Sequence, residues 1–73
     1  DNSNAGIGGG WMKRNELLRH LRQNGCYLKR EGGSHSLWAS VNTGRIEAVP
    51  RHTDISDRLA FKICKCLSVP DPK

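Results

Sequence analysis

The sequence predicts an α+β fold in the order α-β-β-β-α, and three observations carry that reading. Leu17, Leu18 and Leu21 make an apolar stripe at helical spacing near the start. Ser34 to Val41 alternates with period two between two glycine-bearing turns, as a half-buried strand does. Leu59, Ile63 and either Cys66 or Leu67 make a second helical stripe near the end, flanked by Ala60 and Cys64. Two amphipathic helices can cover only one face of so small a sheet. The expectation is therefore a three-stranded antiparallel sheet with both helices on one face.

Residues 1 to 11 have little to bury and include three consecutive glycines, so they read as a flexible linker or a remnant of expression. Met12 reads as a natural start, residues 12 to 70 as one domain and residues 71 to 73 as a tail. The first helix is expected over Lys13 to Asn24, with Glu16 near its positive end and Arg22 near its negative end. Asn24-Gly25 stops it, Gly25 serving as a left-handed cap. Cys26 to Arg30 reads as a first strand and Glu31-Gly32-Gly33 as a turn. Asn42-Thr43-Gly44 is a second turn and Arg45 to Val49 a third strand, ended by Pro50, which has no amide hydrogen to give a ladder. The second helix is expected over Ile55 to Leu67, capped by Asp54 or Ser56.

Within the central strand, His35, Leu37, Ala39 and Val41 share one side, and Ser34, Ser36, Trp38 and Ser40 the other. The first set is the more apolar, so it is expected to face the helices. The second set, with Tyr27 and Lys29, would stay open. An open tryptophan between serines would stack on a base or anchor a partner. The plainer alternative folds Trp38 over the sheet edge. His35 sits where a tight loop becomes a strand, at the edge of the apolar side. Imidazole titrates near neutral pH and suits proton transfer there; the plainer alternative is a polar end-piece.

Composition bounds the partners. Twelve Lys and Arg stand against seven Asp and Glu, a formal +5, with a sequence pI near 9.6. A polyanion such as nucleic acid is the expected partner. Arg58, Lys62 and Lys65 recur at helical spacing as a basic ridge, a solvated face whose functional use is phosphate contact. Three cysteines make no disulfide framework, and Cys64 and Cys66, two apart on a helix, diverge. No zinc site or other cofactor is expected, a reducing cytoplasm is, and no apolar run approaches the roughly 18 residues of a membrane helix.

Further residues carry a resemblance. Met12-Lys13-Arg14 opens the leucine-bearing helix, Asn24-Gly25 closes it, and Gly33-Ser34-His35 enters a strand. Gly44-Arg45 follows, then Val49-Pro50-Arg51-His52, and Ile55 to Leu67 as Ile-x-x-x-Leu-Ala-x-x-Ile-Cys-x-x-Leu. Over residues 12 to 70 this resembles the HicA-type toxins of bacterial toxin–antitoxin systems, small mRNA interferases. The resemblance implies a fold similar to double-stranded-RNA-binding domains, His35 as the catalytic residue, and a HicB-type antitoxin that covers it. Cys26 stands where the family often has a large aromatic, and Glu47 where an apolar residue is common.

The chemistry that follows needs no metal. RNA carries its own nucleophile, the 2′-hydroxyl, and one histidine can remove its proton. Lys29, Arg30, Arg51 and His52 are candidates for steadying charge on the phosphorus centre, and His52 for a second proton-transfer group. Arg58, Lys62 and Lys65 would hold the RNA. Two alternatives are a non-catalytic RNA-binding module of the same fold and an adaptor that pairs with a protein through the Trp38 face.

Overall fold

The computed structural model describes residues 10–72. The linker expected over residues 1–9, and Lys73 of the tail, lie outside them. The elements are β1 (Trp11–Lys13), α1 (Arg14–Gln23), β2 (Cys26–Glu31), β3 (His35–Ser40), β4 (Ile46–Pro50), β5 (Asp54–Ser56) and α2 (Asp57–Cys66). The expected α-β-β-β-α order is present, with β2-β3-β4 as an antiparallel sheet. A two-stranded ribbon, β1 with β5, is added to it. Three-residue strands are too short to show a period, so the ribbon leaves no pattern in the sequence. It takes Trp11 into the fold, although Trp11 fell in the stretch read as linker. Gly10 also joins, its carbonyl accepting from the Asp57 amide at 3.0 Å.

Met12 faces Ile55 across the ribbon, and both are buried in the core. The helices begin later than expected for that reason. Residues 11–13 and 54–56 are extended, so α1 starts at Arg14 and α2 at Asp57. Ser56, not Asp54, caps α2, its Oγ accepting from the Leu59 amide at 3.2 Å. Asp54 instead pairs with Lys13 at 3.0 Å. Gly25 takes the left-handed conformation expected of it, φ +85°. At the other end, the Val69 amide reaches back to the Cys64 carbonyl at 2.9 Å, with Ser68 at φ +59°.

Alternation along β3 holds, but its sides are reversed. Ser36, Trp38 and Ser40 face the helices and are buried, whereas His35 and Val41 are exposed. Trp38 is 1% exposed. It lies in one cluster with Leu17, Leu18 and Leu21 of α1, Ile63 and Cys64 of α2, and Cys26 and Val49 of the sheet. The guanidinium of Arg22 sits 5.2 Å from the centre of its ring. The open-face role expected of Trp38, as a base-stacking or partner-anchoring side chain, is therefore withdrawn, and so is the adaptor reading built on it. The physical reason is size. A buried indole removes about 200 Å² from water, on the order of 5 kcal/mol at roughly 25 cal/mol per Å². Burying Leu37 and Val41 instead would leave that indole in water. The serines that accompany Trp38 inward cost little where their hydroxyls are bonded, as Ser36 is to Glu31.

Cys26 and Cys64 are buried free thiols. Burial raises both above their ordinary value, and Cys64 is pushed up to about 11, first by burial and then by Asp71 and Cys26. Native protein thus holds the Cys64 proton more tightly than the unfolded chain. The resulting stability is complete below about pH 9 and lost as pH rises toward 11. Urea unfolding from pH 8 to 11 should show a decline in the native protein that Cys64→Ala reduces; parallel curves would refute it. Trp38→Ala should cost about 3–5 kcal/mol in the same assay, against less than about 1 kcal/mol for Trp11→Ala, whose ring is 65% exposed.

Candidate active site

His35 opens β3 on the outer face of the sheet and is exposed. The turn before it is held at three backbone groups, the Gly32 amide and carbonyl and the Ser34 carbonyl. The Gly32 amide donates to the His35 carbonyl at 2.9 Å, and the Arg51 amide to the Ser34 carbonyl at 3.2 Å. One terminal nitrogen of the Arg51 guanidinium donates to the Gly32 carbonyl at 3.1 Å. A Cβ on Gly32 would lie 2.6 Å from the His35 carbonyl oxygen, whereas one on Gly33 would meet nothing within 4 Å. Of the two glycines, the first is required by close approach of backbone to backbone.

A polar chain runs from this turn into the body of the protein. Arg14 Nη2 donates to Ser36 Oγ at 2.8 Å, and Ser36 Oγ donates to Glu31 Oε1 at 2.5 Å. Glu31 Oε2 faces Arg51 Nη2 at 3.5 Å. Arg14 Nε also donates to the Pro50 carbonyl at 2.8 Å, and Pro50 is the register partner of His35. Helix α1, both hairpin strands and the loop after β4 thus converge on one turn. Sequence reasoning missed Arg14, Glu31 and Ser36. Arg14 left a trace: a cation in the first turn of a helix is misplaced against the helix dipole unless its charge is used elsewhere.

The other expected residues divide. Arg30 joins the His35 face, and a bulge puts it there. Leu28 pairs with Trp38 on the core side, Lys29 is the extra residue, and Arg30 pairs with Leu37 on the outer side. Without the bulge Arg30 would share the side of Leu28. The same shift brings Glu31 opposite Ser36. Arg51 lies at the site, with two of its nitrogens engaged on the turn itself. His52 is exposed beside it. Arg58, Lys62 and Lys65 are exposed along the solvent side of α2, in the helix layer and away from the outer sheet face that carries His35.

Between the start of α1 and the loop after β4 lies a cavity of about 350 Å³. Its walls are residues 13–16 and 51–53. Arg14 closes one side through its amide, which donates to the Thr53 carbonyl at 2.8 Å.

Residues 14–67 match the family model described as the HicA toxin of bacterial toxin–antitoxin systems. The chain belongs to the HicA toxin family. It is the toxin of a toxin–antitoxin system, which implies an antitoxin partner. No curated protein and no solved structure matches the chain. The HicA match begins at Arg14, so the ribbon strand β1 precedes it and the polar chain from Arg14 to Arg51 falls inside it. Among the described residues, no helix of this HicA chain is long and apolar enough to cross a membrane.

The two glycines give a local test. Gly32→Ala should cost about 1–3 kcal/mol, because backbone at the His35 turn must move. Gly33→Ala should change stability by less than about 0.5 kcal/mol. Equal effects in chemical unfolding would mean that the turn is not built on the Gly32 approach.

Proposed function

We propose that this toxin of a type II system is a small metal-independent endoribonuclease that cleaves mRNA in the cytoplasm, with His35 as general acid/base. The observation that supports the reading best is the held turn. It presents one exposed imidazole from a backbone fixed by Gly32, Arg51 and the Ser34 and His35 carbonyls. Fixed presentation of a proton-transfer group to an open surface is what a polymeric substrate requires.

The reaction is a transfer within the substrate. Neutral His35 takes the proton of a 2′-hydroxyl, and that oxygen attacks the adjacent phosphorus. The bond from phosphorus to the 5′-oxygen of the next nucleotide breaks, and this oxygen takes a proton from an acid or from water. The products are a 2′,3′-cyclic phosphate and a 5′-hydroxyl. Arg30, on the His35 face opposite Leu37, supplies a cation for the developing charge, with Lys29 in the bulge beside it. Arg58, Lys62 and Lys65 contact more distant phosphates of a long RNA. A HicB-type antitoxin silences the enzyme by covering the outer sheet face, where Tyr27 and Ile46 are half-exposed on either side of Ala39, further along the strand that His35 opens.

His35→Ala tests the assignment. An exposed side chain supports little core, so the fold and RNA affinity should persist. Cleavage and growth inhibition should fall by about 10² or more. The cut ends of the native reaction should carry the cyclic phosphate. Full cleavage by a folded His35→Ala protein would remove His35 from the mechanism, and RNA binding with no cleavage by either protein would favour a non-catalytic RNA-binding module.

A further inference from the structure

We propose that the cavity between the start of α1 and the loop after β4 is an anion site that holds one phosphodiester of the RNA chain, on the strand segment next to the bond presented to His35. Its RNA half rests on the ribonuclease reading; the anion chemistry does not.

Charge is the first argument. Lys13, Arg14 and Arg51 line the cavity with His52, against one carboxylate, Glu16. Lys13 is partly spent on Asp54 at 3.0 Å, so Arg14 and Arg51 carry the weight. Both are already oriented. Arg14 is anchored through Nε and Nη2 on the Pro50 carbonyl and Ser36 Oγ. Arg51 is anchored through its two terminal nitrogens on Gly32 and Glu31. The remaining terminal nitrogen of Arg14 and Nε of Arg51 have no partner among the described residues. A ligand that meets two pre-positioned guanidinium groups avoids the side-chain ordering cost that a flexible surface lysine would impose.

Shape is the second argument. At about 350 Å³ the cavity falls in the range of small-ligand pockets, roughly 300–1,000 Å³, and admits a phosphate with its ribose. The exposed ridge on α2 offers charge without concavity. Placement is the third. Arg51 directly follows Pro50, whose Cα faces that of His35 across the ladder, about 5 Å apart in such a pair. The cavity wall that Arg51 forms is thus one residue along the chain from the register partner of His35.

The cavity can be tuned in both directions without touching Arg14 or Arg51. Asn15→Glu adds a carboxylate at the mouth, in a first helical turn where acids are favourable. Glu16→Gln removes the one repulsive charge. Amide spectra of the native protein should be recorded during titration with inorganic phosphate, and separately with an uncleavable 2′-O-methyl pentanucleotide. Both ligands should move the amides of Asn15, Glu16 and Thr53, with the oligonucleotide at least about tenfold tighter because its neighbouring phosphates also find cations. Asn15→Glu should weaken oligonucleotide binding about tenfold, equivalent to about 1.4 kcal/mol, with melting temperature unchanged; Glu16→Gln should tighten it. Still amides around the cavity, or affinities indifferent to both substitutions, would overturn the site. Phosphate binding there without oligonucleotide binding would overturn its RNA role. None of these readouts uses cleavage, so a failure of His35 as the catalyst leaves them independent.

Discussion

The fold turns on which way Trp38 points. Side chains alternate along a strand, so placing one indole between two helices dictates the direction of every neighbour on β3. Trp38 inward puts Ser36 inward and His35 outward. The His35 imidazole is exposed because a tryptophan three residues on is not. The core therefore sets the site through parity, with no side-chain contact needed between Trp38 and His35.

Parity alone would leave the turn before His35 loose. The chain Arg14–Ser36–Glu31–Arg51 ties it to elements distant in sequence. Ser36 is fully buried, so its hydroxyl must find partners or incur a desolvation cost, and it finds them in Arg14 and Glu31. The same requirement explains the bulge at Lys29. One extra residue turns Glu31 toward Ser36 and Arg30 toward the open face. A single backbone irregularity serves packing on one side and charge placement on the other.

Much of this was legible in the sequence. Helical stripes marked both helices, glycines marked the turns, and the Gly-Ser-His segment marked where the loop becomes β3, with His35 as its first residue. The order of the sheet strands followed from short connections. Three features were not legible, each for a physical reason. The direction of β3 could not be read, because alternation gives period and not sign, and three small or medium apolar residues, Leu37, Ala39 and Val41, outvoted one large one. The bulge is invisible to any periodic template. The ribbon of β1 and β5 is a long-range pairing of three-residue segments, and its one apolar pair, Met12 with Ile55, makes no local pattern. The Arg14 network was hidden likewise, since its partners are 22 and 36 residues away in sequence.

The two tryptophans differ in a way that makes the molecule its own optical instrument. Trp38 lies in a dry core beneath a guanidinium, whereas Trp11 stands in water on the ribbon. Indole emission shifts to longer wavelength as its surroundings become polar, so the native chain carries one blue and one red emitter. Loss of the blue component reports dissolution of the core. A change in the red component alone reports an event at the ribbon, beside the cavity and the loop of Arg51 and His52.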